Sequence, residues 1–562
     1  MSYRQHSTSD AYSKVLCILT ICLVTCMISC RPRVHISEKE NLAFERASRN
    51  AELANEGFVR CNNYMSAWLS FADPESKLTP RTLSRDIDIW NANDCAADNF
   101  PFLVLTSFFT DRGKYDGVMR EMLQNEIRLT SRVGSLPDTY SFSKKGFYYD
   151  SVSIPRIVFG TTEYIKDGLL PITEWLGKTP WSDRMFSMLE DLDQHIDVAG
   201  GFGSAFGNAA NDEVNGELLQ VLSRVYWMTG DERYLKWAVK IGEHFLGDAY
   251  PLNSHYLRLR DHGCEIISGL CELYVTLSFV DAEKRARFAE RLHPMLEFIL
   301  AHGRNEDGLF YNGINPANRE VVQPELADTW GYTLNGFYSV WMVDSVAQFR
   351  EAVTTVFANL HKYHNYNWEN LGADGYADAI EGALNLLNRI PDERAIDWIE
   401  KEIQVMWSMQ DSAHRENAQR WKNSGIIEGW YGDGNFARTT IMYNLWKSQG
   451  TWLHPWTPDV RLGAERAGDT LFISIESNAK WEGTLFFDKP RHAVNMKLPV
   501  DWPRINQFPE WFTVSDDDRY NVIDVDANEI GSYSGKQLIE GIRVGLKENE
   551  GRRLMVVRVS NQ

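Results

Sequence analysis

Six short stretches of this 562-residue chain place acids, amides and other polar groups at the mouths of segments that are otherwise oily. They are AADN (96–99), NDEVNGE (211–217), RDHGCE (260–265), DTWGY (328–332), DGYADAIE (374–381) and GDGNFAR (432–438). The second, for example, runs on into Leu218, Leu219, Val221, Leu222 and Val225. A carboxylate at such a start can be an ordinary cap, because orphan N–H groups and the helix dipole favour it, and that suffices for Asp261, Asp328, Asp374 and Asp433 taken singly. Glu217, Glu265, Asp378 and Glu381 lie further inside. An unpaired carboxylate buried there is expensive, so a wet cavity or a buried ion pair must receive them. Carboxyls crowded together raise one another's pKa, which fits one for general-acid duty while a neighbour stays ionised.

The elements that position these groups read as helix after helix from about 43 to 449. Segments 97–110, 212–229, 262–279, 329–343, 375–389 and 435–449 are apolar almost all round after their polar starts, as buried helices are. Between them lie striped segments, such as Tyr234, Leu235, Ala238, Ile241 and Phe245, which cover the buried ones from outside. At one junction Gly230 can end a helix and Asp231 can cap the next. A further irregular hairpin is expected around 147–165, where Pro155 and Gly160 interrupt the pattern, and segment 43–71 can close the ring from outside. The fold class expected is mainly α, an (α/α)6-like toroid of six or seven hairpins. Inner helices running parallel in such a ring bring every polar start to one cleft. After 450 the period changes to two: Leu471, Ile473, Ile475; Val494, Met496, Leu498; Ile542, Val544, Leu546; Leu554, Val556. These alternations predict a small β-sandwich over 451–562, with TWLHPWTPD (451–459) as its linker.

A net charge of −19 and a pI near 5.2 argue against nucleic acid as a partner, since phosphate binding wants a basic surface. Arg4 and Lys14 precede the apolar run 15–29, which is short for a membrane span and right for a signal segment. It ends in MISC, similar to a bacterial lipobox, so Cys30 is the expected lipidation site. The organisation expected is a lipoprotein signal at 1–29, a tether at 30–41, the toroid at 42–450 and the β-domain at 451–562. The membrane is then a partner through the N-terminal lipid, and the location is the bacterial cell envelope, on its periplasmic or outer-surface face. Cys61, Cys95, Cys264 and Cys271 make no disulfide framework, and without CxxC or HExxH there is no strong zinc signature. No metal or cofactor is expected. The Gly-rich AGGFGSAFGN (199–208) follows no clear strand and reads as a cleft-rim loop rather than a phosphate loop.

Hairpin architecture with polar inner-helix ends, over roughly 43–450, resembles the six-hairpin glycosidase superfamily. That group includes unsaturated glucuronyl hydrolases and β-L-arabinofuranosidases, and the C-terminal β-domain looks like the layout of the latter. The resemblance implies a glycan-degrading enzyme, a glycoside hydrolase acting on an oligosaccharide or polysaccharide. An Asp at the cleft serves as acid and base in the glucuronyl hydrolases, and Asp212, Asp261 and Asp328 stand at comparable helix starts. The arabinofuranosidases use a zinc-bound Cys with an adjacent Cys pair; this chain has no such pair, and Cys264 beside Glu265 does not supply one. Hydrolysis needs two carboxyls across the bond, one protonated and one ionised. The catalytic candidates are Asp212 or Glu213 with Asp261 or Asp328. Asn215, Glu217, His262, Trp330, Tyr332, Asp374, Tyr376, Asp378 and Trp430 are the candidates for holding sugar. Two alternatives stay open. A lyase on uronate-containing glycans would draw on His262, Tyr332, Tyr376, Asn215 and Arg438, and a non-catalytic glycan-binding lipoprotein would need no carboxyl pair.

Overall fold

The computed structural model describes residues 36–195, 208–411, 421–429 and 432–559. The expected signal, the lipidation site at Cys30, residues 30–35 of the expected tether and nearly all of the Gly-rich segment lie outside the described residues, while residues 38–41 of that tether form the first turn of a helix. Ser37 opens the first described helix with a reciprocal cap on Glu40, so that helix begins at Glu38, four residues before the expected start at 42.

Among the described residues, fifteen α-helices of seven residues or more build the toroid. They are α1 (Glu38–Leu69), α2 (Phe100–Thr110), α3 (Arg120–Thr130), α4 (Ile154–Glu163), α5 (Leu170–Leu176), α6 (Pro180–Leu192), α7 (Asn208–Thr229) and α8 (Glu232–Phe245), followed by α9 (Cys264–Val280), α10 (Ala282–His302), α11 (Trp330–Asp344), α12 (Ala347–Asn359), α13 (Ala373–Leu387), α14 (Glu393–Asp411) and α15 (Asn435–Lys447). The inner ring runs α2, the α4–α5 pair, α7, α9, α11, α13, α15 and back to α2, while α3, α6, α8, α10, α12, α14 and α1 lie outside it. Seven hairpins therefore close the ring among the described residues, the larger of the two numbers expected. Two inner elements are not plain α-helix. A π-helical stretch, Ala92–Asn99, leads into α2, and a second, Tyr164–Leu169, joins α4 to α5.

The inner helices approach closely where glycines face one another. A Cβ on Gly216 of α7 would lie 2.3 Å from the Glu265 carbonyl carbon of α9, and one on Gly331 of α11 would lie 2.4 Å from Gly382 Cα of α13. Gly230, with φ of 71°, ends α7, and the Asp231 side chain accepts from the Arg233 N–H to start α8. No helix among the described residues is long and apolar enough to cross a membrane.

The C-terminal part holds eight strands: β1 (Thr451–His454), β2 (Val460–Ala467), β3 (Thr470–Ser477), β4 (Trp481–Phe487), β5 (Arg519–Asp524), β6 (Glu529–Ser534), β7 (Ile542–Leu546) and β8 (Glu550–Arg558). They form two antiparallel sheets, ordered β2-β3-β8-β5-β6 and β7-β4-β1, over one apolar core that includes Ile473, Val556, Leu485 and Val544. Residues 451–454 are thus a strand of the sandwich, not a linker, because Leu453 pairs with Leu485 and is buried. The expected strand at Val494–Leu498 is also corrected. Residues Arg491–Val494 form a helical turn, and Met496 and Leu498 join the core of the toroid.

Between β4 and β5 the chain leaves the sandwich and fills the bore of the ring. Trp502 donates through Nε1 to Glu272 at 3.0 Å, and Arg504 donates to Glu174 at 2.6 Å. Arg389, just beyond the end of α13, holds Asp501 at 3.0 Å. Deeper in, Ile505 packs against Cys264 and Tyr332. The long helix α1 ties the two parts together, with Phe44 edge-on to Phe472 of β3 at 5.2 Å while its other face packs on α15.

Candidate active site

All seven inner elements open into one cleft of about 920 Å³, most of them by their first turns, α7 from its second and third turns and the α4–α5 pair through the end of α4 and its π turn. Each brings polar groups: Asp94 and Asp98 before α2, Glu163 and Asp167 from α4 and its π turn, Glu213 and Glu217 from α7, and Glu265 from α9. Tyr332 comes from α11, Asp374 and Asp378 from α13, and Asn435 and Arg438 from α15.

On one side the chain before α9 turns through a left-handed His262, φ 65°. That turn seats the imidazole between two carboxylates, Nε2 lying 2.9 Å from Asp261 Oδ2 and Nδ1 bonding Glu213 Oε1. Against the cost of burial, Asp261 and Glu213 hold the imidazole pKa well above its usual value. The same contact, with Arg258 and Arg260 behind it, outweighs burial at Asp261 and holds that carboxyl well below the usual range. Within reach of Arg260, Glu369 and Asn370 are consecutive left-handed residues, φ 40° and 57°, an unusual backbone for non-glycine side chains. The turn points Glu369 into the cleft, where burial, then repulsion from Asp374, Asp328 and Asp261, pushes its carboxyl up to about 9. Arg260 approaches Glu369 at 3.4 Å.

The floor is an ion-paired network. Arg438 donates to Asp378 at 2.6 Å and to Asn506 Oδ1 at 2.9 Å, and its Nε lies 2.8 Å from Glu381. The Tyr332 hydroxyl lies 2.9 Å from Asp378 and 2.8 Å from Glu381. Burial pushes the Tyr332 phenol well up. Asn506, carried in by the segment between β4 and β5, donates its backbone N–H to Glu381 at 2.6 Å and its amide to Asp167. At the rim Arg81 holds Asp94 at 2.5 Å, and Glu428 accepts from Trp421 Nε1 at 2.7 Å.

Of the residues singled out in the sequence, Glu213, Asp261, Glu217, His262, Tyr332, Asp374 and Asp378 line the cleft. Asp328 is buried just beneath, its carboxyl pushed up to about 7 by burial and then by Asp261, and it accepts from the Thr329 N–H at 2.9 Å. Burial pushes Asp212 up to about 6, but it stands outside the lining, as does the buried Asn215. Trp330 and Tyr376 are corrected as sugar platforms. Trp330 is 0 % exposed and edge-on to Trp398, while Tyr376 is buried with its hydroxyl on the Tyr366 carbonyl at 2.7 Å. Trp430 lies outside the described residues. Cys264 is buried and its thiol is pushed well up by burial and then Glu265, the reverse of what a thiolate nucleophile needs.

Sequence reasoning missed Glu163, Lys166, Asp167, Glu369 and Asn506. The first three had a signal, charges three and four apart inside the apolar segment after Pro155. Glu369 and Asn506 had none, being placed by a turn and by a contact across 339 positions.

No family model matches the chain, and no curated protein matches it. Among solved structures the chain is similar to a family 76 glycoside hydrolase from a bovine Bacteroides thetaiotaomicron strain, at 13% identity and TM-score 0.38, over 58% of this chain and 76% of that one. It is also similar to an unsaturated glucuronyl hydrolase from a Bacillus species, at 13% identity and TM-score 0.33, over 52% of this chain and 86% of that one. A third is a cellobiose 2-epimerase from Bacillus thermoamylovorans, at 10% identity and TM-score 0.37, over 70% of this chain and 98% of that one.

Proposed function

We propose that this chain is a glycoside hydrolase in which Glu369 is the general acid and Asp261 the ionised partner, acting as base or nucleophile. One observation carries the reading: two carboxyls line the same cleft in opposite surroundings, Asp261 paired with the His262 imidazole at 2.9 Å and Glu369 set beside the acids Asp374 and Asp328 with Arg260 no closer than 3.4 Å. Glu369 is held protonated, with its carboxyl near 9, and Asp261 is held ionised by His262 and the arginines behind it. That division is what protonating a glycosidic oxygen while stabilising or attacking the anomeric carbon requires.

The lining carries thirteen carboxyl groups against five Arg or Lys and one His. Such a surface disfavours polyanions, so the substrate is a neutral or cationic oligosaccharide or polysaccharide. A lyase finds its proton acceptors occupied. His262 is already an imidazolium between two carboxylates, and the Tyr332 phenol is held protonated. The anchored, cell-envelope location belongs to this reading through Cys30.

The test is mass spectrometry of products from a broad panel of plant, algal and host glycans incubated with a soluble chain lacking the leader. Fragments that have gained one water support hydrolysis. Fragments with an unsaturated end would transfer the reading to elimination, and retention of a glycan without cleavage would make this a binding protein.

A further inference from the structure

One wall of the cleft carries two pairs of carboxyls that the acid–base reading does not use. Glu163 and Asp167 stand four apart on α4 and the π turn that follows, and Glu213 and Glu217 stand four apart on the neighbouring α7. On α7 that spacing puts Glu213 and Glu217 on one face, and all four carboxyls line the same cleft. One oxygen from each of Glu163, Asp167 and Glu217 lies within 4.8 Å of the other two. Glu217 is 1 % exposed, and its Oε2 is buried with no hydrogen-bond partner among the described residues. Lys166 is the neighbouring cation, but its ammonium is engaged with Asp167 at 2.7 Å and Glu265 at 2.8 Å. Asp167 also accepts from Asn506 and Glu213 is held by His262, whereas Glu217 feels Lys166 only through space, with no hydrogen bond at Oε2 among the described residues.

A buried carboxylate oxygen without a partner, beside two more carboxylates, is costly unless the group takes up a proton or a cation sits among them; burial and then the neighbouring acids already push Glu163 and Glu217 up, and a cation binding there would displace those protons. An all-oxygen, carboxylate-rich donor set of this kind suits a hard divalent cation. Carboxylates on two separate helices, free to bind through one oxygen or two, suit Ca²⁺ better than the stricter octahedron of Mg²⁺. We propose that Glu163, Asp167 and Glu217 form a Ca²⁺ site in the cleft wall. The ion would clamp the π turn to α7 and offset the charge of an unusually acidic lining. It would also fix the wall that faces Glu369 and Asp261. The site does not depend on the hydrolase reading, since its readouts are binding and stability.

The experiment uses the full chain, stripped with chelator, dialysed into metal-free buffer and titrated with CaCl₂ alone. A single saturable binding isotherm is expected, with a melting temperature raised by about 2–5 °C at a hundredfold excess over Kd. Glu217→Gln keeps the shape and removes the charge. It is expected to melt at or above the metal-free wild type and to lose the Ca²⁺ response. A wild type that neither binds nor shifts overturns the site, as does an E217Q variant that responds like wild type. Should E217Q fail to fold, metal analysis of wild type purified without chelator decides, with about one equivalent of calcium expected and less than about a tenth overturning the proposal. A stronger response to MgCl₂ than to CaCl₂ overturns the choice of ion.

Discussion

Asp328, beneath the cleft, and Asp261, in its lining, show how neighbouring surroundings hold carboxyls of the same type in opposite states. Asp261 has His262 at 2.9 Å and is held ionised, and its charge in turn helps push the buried Asp328 up to about 7. Between about pH 4, where an unfolded Asp titrates, and pH 7, the folded chain keeps a proton at Asp328 that the unfolded chain has lost. The native state then binds more protons, so this group's contribution to stability falls as pH rises through that window. Asp328→Asn removes the contribution, and its melting temperature is expected to fall less than that of wild type between pH 5 and pH 8. Parallel melting curves across that range would contradict the assignment. Asp261→Asn removes the ionised partner and is expected to lower kcat by about 10²- to 10⁴-fold with the fold unchanged, measured on whichever glycan the panel identifies. At this scale the sequence was readable where acids open an apolar helix, as at Asp261, Asp374 and Asp378. It was unreadable where geometry alone confers the role, as at Glu369, whose importance comes from two left-handed residues in a turn.

The inner helices were legible because each is buried around its whole circumference, so apolar residues without a stripe mark it and the polar start marks its cleft end. The expected 262–279 and 329–343 became Cys264–Val280 and Trp330–Asp344. The α4–α5 element was only half legible. Its π turn breaks the helical period across Tyr164–Leu169, so the charges at Glu163, Lys166 and Asp167 stood out in an apolar segment while their common destination in the cleft did not. How tightly the helices pack was not legible either, because a glycine in a sequence does not name its neighbour. Gly216 permits α7 to touch the backbone of α9 beside Glu265. Gly216→Ala is expected to cost about 1–3 kcal/mol through overpacking, read as a lower urea midpoint with unchanged slope. An unchanged midpoint would mean that the two helices part without cost.

Across the whole molecule, the β-domain is a working part of the toroid rather than an appendage. Arg504 reaches Glu174 across 330 positions, and Asn506 reaches the floor of the cleft. Contacts of that length leave no local pattern, which is why the segment between β4 and β5 read as more strand. Ending the chain at residue 450 would leave Glu174, Glu272 and Glu381 buried without these partners. The truncated toroid is therefore expected to lose cooperative thermal unfolding and to aggregate, and a soluble truncation with a sharp melt would contradict this. At the other end, Cys30→Ser in the full chain is expected to abolish lipid labelling and release the protein from the membrane fraction. Unchanged labelling would place the anchor elsewhere.

The most direct test of the central claim is the alkaline limb of kcat/KM, compared between wild type and Glu369→Gln on the glycan that is cleaved. With Glu369 as the acid, wild-type activity is flat through neutrality and falls above about pH 9 as the proton is lost. The variant is expected to be about 10²- to 10⁴-fold slower and to lose that limb, with much of the rate restored on an aryl glycoside whose leaving group needs no proton. A variant that keeps both its rate and the alkaline fall would remove Glu369 from the reaction.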